Sequence, residues 1–295
     1  MGDVVAATGA TWLFVPGSRP DRFAKAVSSG ADEVILDLED AVSPADKASA
    51  REAVAAWLDV PARGADSGAG PGRGSAWVRI NPPGSAWYDA DVAALFGSPG
   101  LRGVVVPKAE DPDALTRLRV RLGRAAPLLA LVETAQGVHR AAAIAAAHGV
   151  CRLAFGAIDL ALDLGAVESR ESLLLARSQI VLASRVAGLP APIDGVTADV
   201  GELDAVVADT AYAKGLGFGG KLCIHPAQVP VVARVLTPSA EEVAWAREVL
   251  AAAEAAGAGV ARARGAMVDL PVYERARRVL VQAGVVTSDS EEAGS

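Results

Sequence analysis

Short apolar runs, most of them ending at a polar or charged residue or a proline, recur along the whole chain. Those at residues 12–15, 34–37, 77–80, 103–107, 128–133, 153–156, 191–194 and 220–224 hold mostly apolar or β-branched residues, the pattern of strands buried on both faces. Between them, apolar residues fall every three or four positions, which predicts helices over 22–27, 45–57, 114–122, 138–147, 173–187 and 204–214. Eight alternations of this kind predict a parallel sheet. An open doubly wound sheet is the rival, but eight units fit closure better, giving an α/β fold of the (β/α)8 TIM-barrel type, which typically needs about 250 residues.

The barrel is expected over residues 1–236, interrupted by a mobile Gly-, Pro-, Ala- and Ser-rich loop at 59–75. Ser239-Ala240-Glu241-Glu242 reads as a capping box opening a helix over 239–256, and Pro271 starts a last helix over 271–282. The barrel therefore carries a C-terminal helical appendage, residues 237–286, able to pack on its own barrel or reach a neighbouring subunit. The acidic tail at 287–295 is expected to be disordered.

A net charge of −7 argues against nucleic acid or an anionic membrane surface as partner. Cys151 and Cys223 lie far apart in apolar contexts, which suits reduced core residues of a cytoplasmic protein better than a disulfide or zinc site. No basic-then-apolar leader opens the chain, and charges interrupt every Ala-rich stretch before it could span a membrane.

Candidate chemistry gathers just past the predicted strand ends, where active sites of such barrels lie. Glu133 and Asp159 follow two consecutive buried runs. A Mg²⁺ ion, which takes one or two protein carboxylates and fills its octahedron with water and substrate oxygens, suits such a pair. Helix capping, or a place in a first helical turn, is the alternative for each. Asp37, Glu39 and Asp40 follow another run; Asp37 and Glu39 are candidates to touch substrate or metal-bound water and to orient Arg79, while Asp40 is expected to cap a helix. Arg79 ends the third run and must meet those acids, a substrate carboxylate or both, because a lone buried arginine is costly. Lys108 has the same address, with the option of carrying its ammonium out to water. Arg19, Arg22 and Lys25 recur every third residue around a helix start, as a solvated basic face or a dock for a phosphorylated cofactor.

His225 reads as a structural histidine, and Asp269 as a helix cap. Residues 215–222, GLGFGGKL, match G-x-G-x-x-G, but a helix precedes them and a strand follows. That order is the reverse of a phosphate-binding loop, so they read as a helix end and turn.

In this order PGSRPDR, ILDLEDAV, VRINP, VVVPKAE, LVETAQGV, FGAIDLALD, KLCIHPAQ and GAMVDLPV resemble the citrate lyase β-subunit-like proteins of the HpcH/HpaI aldolase/citrate lyase group of CoA-ester lyases. The likeness runs over about residues 12–280. It implies a (β/α)8 barrel in homotrimers or hexamers acting on CoA or acyl-carrier thioesters with Mg²⁺. It further implies Glu133 and Asp159 as metal ligands, Arg79 on the keto-acid part of the substrate, and Arg19, Arg22 and Lys25 near the CoA phosphates. Asp269 matches the catalytic Asp that such proteins donate from an adjacent subunit. Ile158 departs from the pattern, since many members carry Glu before the metal-ligating Asp. The activity implied is carbon–carbon cleavage of a malyl-, citramalyl- or citryl-type CoA ester to a 2-keto acid. A class II pyruvate-type aldolase on free 2-keto acids, or a subunit active only within a citrate lyase complex, is the alternative.

Overall fold

The computed structural model describes residues 7–59, 74–123, 126–256 and 261–285, so most of the loop at 59–75 and the tail at 287–295 lie outside it. The chain divides into two compact units, Met1–Ala233 and Arg234–Ser295.

In the first unit eight strands close a barrel in chain order: β1 Thr11–Pro16, β2 Glu33–Asp37, β3 Ala76–Arg79, β4 Leu101–Val106, β5 Leu128–Val132, β6 Val150–Phe155, β7 Ile193–Asp194 and β8 Gly220–Cys223. Neighbours run parallel all round, with β8 pairing back to β1. The sequence-based expectation for the fold is met. β7 keeps only two of its four expected residues. Pro190 and Pro192 precede it, and proline has no N–H to give a sheet ladder.

Alternate strand residues point inward, among them Trp12, Ile35, Trp77, Leu129, Leu131 and Leu222, with the Trp12 and Trp77 rings edge to face at 5.1 Å. At the N-terminal end of the strands the buried Arg152 guanidinium donates to the carbonyls of Ala7 at 2.8 Å, Gly9 at 2.7 Å and Ala191 at 2.6 Å. Burial pulls its pKa down to about 10. This clasp closes the floor of the barrel, leaving the opposite mouth for chemistry.

The helices of this unit are α1 Phe23–Val27, α2 Lys47–Leu58, α3 Tyr88–Leu95, α4 Pro112–Arg121, α5 Ala135–His139, α6 Ala141–Ala145, α7 Ala157–Leu164, α8 Arg170–Val186 and α9 Leu203–Leu216; α10 Gln228–Leu236 bridges into the second unit. The expected helix over 138–147 is in fact two, broken at Arg140, whose ψ of 10° leaves the helical well. The sequence pattern gives no bounds for α3, α7 and α10. The GLGFGGKL segment ends α9, with Gly217 at φ +104° in the left-handed region and Phe218 N–H returning to Ala213 O. It is a helix cap and turn, as its order implies.

The second unit packs α11 Ala240–Ala256 against α12 Leu270–Gln282 through Ala246, Val249, Ala276 and Leu280. The capping box forms: Ser239 Oγ accepts from Glu242 N–H at 3.1 Å, and Glu242 Oε2 from Ser239 N–H at 2.8 Å. Within the stretch expected to be irregular, β9 Arg262–Ala263 and β10 Ala266–Met267 form a hairpin. Its turn residues Arg264 and Gly265 both have positive φ, 48° and 80°, the tight hairpin turn whose twist suits paired strands. Among the described residues no helix is long and apolar enough to cross a membrane.

Candidate active site

Asp37 and Arg79 close β2 and β3 in register, so their side chains share a face. The guanidinium takes both carboxylate oxygens of Asp37, at 2.7 and 2.6 Å, through Nε and Nη2. Nη1 reaches Glu39 Oε2 at 3.0 Å and Asp40 Oδ2 at 3.5 Å, and the guanidinium plane lies 4.7 Å from the centre of the Phe14 ring. Burial disfavours charge on Arg79, but Asp37, Glu39 and Asp40 outweigh it and raise its pKa. Asp40 is therefore an arm of this ion cluster; the expectation that it caps a helix is wrong. The N-cap of α2 is Asp46, six residues on, and no side chain caps it.

The turn after β2 is pinned from two sides. Asp37 accepts from the N–H groups of Glu39 at 2.9 Å and Ala41 at 3.1 Å. The buried Lys47 ammonium donates to the carbonyls of Leu38 and Glu39, both at 2.7 Å. Lys47 was not singled out from the sequence; a lysine opening a helix ordinarily points to water.

Glu133 lies one residue past β5 and is 2 % exposed. Its Oε1 accepts the backbone N–H of Lys108 at 2.9 Å. Lys108 holds φ +47°, a left-handed conformation that costs a non-glycine residue about 1–3 kcal/mol. Its ammonium bonds Glu39 Oε1 at 2.9 Å and stands 3.9 Å from both Glu133 Oε1 and Asp159 Oδ1. Of the two options for Lys108, the inward one is realised. Asp159 sits in the first turn of α7, not at a strand tip. It is thus both a first-turn acid and a neighbour of Glu133, and the two readings do not compete. Among the described residues no group of three or more His, Cys, Asp or Glu is arranged around a common metal position. The arrangement is a pair of carboxylates that share the Lys108 ammonium.

Gly156 makes room for this pair. A Cβ there would overlap Glu133 Oε2 and stand 2.5 Å from Glu133 Cβ. Gly156→Ala is expected to cost about 1–3 kcal/mol of stability by overpacking and to turn the Glu133 carboxylate away. Thermal melting with and without Mg²⁺ checks this, and an unchanged Mg²⁺-induced shift in Tm would refute it.

Burial, then the like charges of Glu39 and Asp159, push the Glu133 carboxyl up to about 8 from an ordinary 4.5. The folded state therefore holds this proton more tightly than the unfolded chain. Its contribution to metal-free stability is complete below pH 4.5 and is lost as pH rises toward 8. A cation needs the ionised form, so Mg²⁺ or Mn²⁺ affinity is expected to rise about tenfold per pH unit between pH 6 and 8 and then level off. Calorimetric titration across that range reads it directly. Burial raises Glu39 as well, with Arg79 and Lys108 opposing.

The remaining sequence candidates share no hydrogen bond or ion pair with this cluster among the described residues. Arg19, Arg22 and Lys25 are exposed beside the end of β1, with Arg19 paired to Asp21 at 2.8 Å. His225 is exposed after β8, its Nδ1 accepting from Ala227 N–H at 3.2 Å. Asp269 belongs to the second unit, where its Oδ1 caps α12 by accepting from Val272 N–H at 3.1 Å. Cys151 and Cys223 are buried free thiols, which burial pushes up to about 12. A cavity of about 200 Å³ lies between α8, α9 and the outer face of β7 and β8. Its cations Arg170, Arg177 and Lys221 are already paired with Asp209 and Asp194, so it is charge-compensated and apart from the barrel mouth.

Residues 10–226 match the family model of the HpcH/HpaI aldolase/citrate lyase proteins. The chain belongs to that family. It is accordingly an enzyme of the lyase class. A citrate lyase subunit beta-like protein of Mycobacterium tuberculosis is 39% identical over 290 residues, 96% of this chain and 98% of the relative. A (3S)-malyl-CoA thioesterase of Cereibacter sphaeroides is 34% identical over 284 residues, 94% of this chain and 95% of the relative. The crystal structure of CitE from Mycobacterium tuberculosis in complex with magnesium, acetoacetate and coenzyme A aligns with a TM-score of 0.80 at 39% identity, over 94% of this chain and 99% of that one.

Proposed function

We propose that this family member is a Mg²⁺-dependent carbon–carbon lyase that splits, or forms, a 3-hydroxy-carboxyacyl-CoA thioester of malyl, citramalyl or citryl type. One observation carries the reading: the buried Glu133 and the rim residue Asp159 converge on the Lys108 ammonium beside the Arg79–Asp37–Glu39 cluster. The donors are all carboxylate oxygens, and Gly156 keeps a side chain away from Glu133 Oε2, a set that fits Mg²⁺. Related structures support the choice: the Mycobacterium tuberculosis citrate lyase beta subunit is complexed with oxaloacetate and magnesium, and CitE of the same organism with magnesium, acetoacetate and coenzyme A.

Glu133 and Asp159 would hold the ion, which when bound supplies a Lewis acid and a template for the substrate hydroxyl and carboxylate. Two carboxylates neutralise the ion and leave the substrate carboxylate unmatched, and Arg79 is the cation proposed to meet it. Asp37 and Glu39 hold the guanidinium plane for that contact. An arginine–carboxylate hydrogen bond contributes about 1.5–3 kcal/mol. Cleavage transfers the hydroxyl proton to water as the electron pair of the bond between the hydroxyl-bearing carbon and the carbon next to the thioester passes to the latter, giving the 2-keto acid and the thioester enolate. Asp269, supplied by a second copy of the chain, protonates that carbon or deprotonates it in the condensing direction. Exposed Met267 and Leu270 flank it and would give the carboxyl an apolar approach once covered. Arg19, Arg22 and Lys25 offer positive charge to the CoA phosphates from the surface beside β1.

The (3S)-malyl-CoA thioesterase relatives favour a second reading, in which the same site hydrolyses the thioester. A screen of malyl-, citramalyl- and citryl-CoA with Mg²⁺, followed by mass spectrometry, separates the two. A 2-keto acid with a shortened acyl-CoA supports cleavage; free CoA with the intact hydroxy acid supports hydrolysis. No turnover of any ester, with free 2-keto acids consumed instead, would move the enzyme to the pyruvate-type aldolases.

A further inference from the structure

Asp163 stands at a poor place on its own helix. It lies in the last turn of α7, where the helix dipole disfavours an anion, and four residues after Asp159, where a like charge repels it. Its carboxylate is engaged elsewhere. Oδ2 accepts the Ala135 N–H at 2.7 Å, at the opening of α5 and 28 residues back along the chain. Thr134, the N-cap of α5, accepts the Gly137 N–H at 3.0 Å, so the first N–H of α5 takes its partner from another helix. A hydrogen bond from a helix start to a carboxylate is charge-assisted and stronger than one between neutral groups.

That bond completes a bracket around Glu133. The Gly156 N–H, at the start of α7, donates to Val132 O at 3.0 Å just before Glu133, and Asp163 takes the Ala135 N–H just after it. Helix α7 is thus tied to the exit of β5 at both of its ends. Asp159 lies between the two ties, and among the described residues its carboxylate has one ion-pair partner, the Lys108 ammonium at 3.9 Å. Its place relative to Glu133 is therefore set by where α7 lies. We infer that Asp163 is a positioning residue, which ties α7 to α5 and so holds Asp159 at the spacing from Glu133 that a small dication requires. The inference rests on the proposed metal pair and adds the group that fixes its geometry. Mg²⁺ demands a near-ideal octahedron, whereas Ca²⁺ takes about six to eight oxygens in flexible arrangements. A tie that fixes two ligands favours Mg²⁺ over Ca²⁺, which a charge near the site does not.

By calorimetric titration, Asp163→Ala should weaken Mg²⁺ binding about tenfold and Ca²⁺ binding less than about threefold, so that selectivity narrows. Asp163→Asn, whose amide oxygen can still accept the Ala135 N–H, should stay within about threefold of the parent for both ions. Without metal, Asp163→Ala should melt within about 3 °C of the parent, because alanine favours the helix and the like charge beside Asp159 is gone. The proposal fails if Asp163→Ala binds Mg²⁺ as the parent does, whatever its melting temperature, or if it loses Mg²⁺ and Ca²⁺ in equal measure. It fails too if Asp163→Asn loses as much as Asp163→Ala, since charge and not the hydrogen bond would then be at work. Glu133→Gln separates this inference from the metal assignment. Weak binding by Glu133→Gln with parental binding by Asp163→Ala overturns the tie alone. Parental binding by Glu133→Gln removes the metal pair and the inference with it.

Discussion

Glu133→Gln is expected to leave the barrel folded and lower Mg²⁺-dependent turnover about a thousandfold, a transition-state loss of about 4 kcal/mol. The amide has nearly the same volume, so it still fits beside Gly156, and its oxygen can still accept the Lys108 N–H now bonded to Glu133 Oε1. What it lacks is charge, and a neutral amide paired with one carboxylate is a poor seat for a hard dication. The same change removes a carboxylate that burial and its neighbours Glu39 and Asp159 disfavour. The metal-free variant should therefore melt at a higher temperature than the parent at pH 9, an exchange of stability for function common at catalytic centres. Calorimetric Mg²⁺ titration and melting curves with and without metal read both effects. A variant that binds Mg²⁺ as tightly as the parent would remove Glu133 from the ligand set.

Arg79→Ala should carry the largest stability cost, about 3–5 kcal/mol. The substitution strands two buried carboxylates, Asp37 at 1% and Glu39 at 4% exposure, whose shared counter-charge is this guanidinium. Arg79→Lys should recover only part of the loss. An ammonium cannot span both oxygens of Asp37 while reaching Glu39, and it stacks less well on Phe14. Adding Asp37→Asn to Arg79→Ala should cost less than the two changes summed, since the second removes a charge the first has orphaned. Urea midpoints at constant slope measure this series. A loss below about 1 kcal/mol for Arg79→Ala would mean that water already screens the cluster.

The barrel was legible because unbroken apolar runs admit few readings once eight of them alternate with helical spacing. Strand boundaries were less so, as at β7, where two prolines remove donors the periodicity does not register. The site was legible as a set of addresses. Glu133, Arg79 and Asp37 follow or close buried strands, the addresses at which such barrels carry their chemistry. Two roles lay beyond the sequence. Lys47 turns inward to the Leu38 and Glu39 carbonyls of the Asp37–Asp40 turn, and Lys108 to the three carboxylates Glu39, Glu133 and Asp159. Both outcomes depend on which groups converge in space. Asp40 failed as an expected cap for the same reason: Arg79 offered a stronger partner than a helix start six residues away.

Asp269 rides on a hairpin-and-helix unit that forms a compact body separate from the barrel bearing Glu133 and Asp159. If the proposed roles hold, descent can remodel the Asp269 carboxylate, which would handle protons, without disturbing Glu133 and Asp159, which would seat the cation.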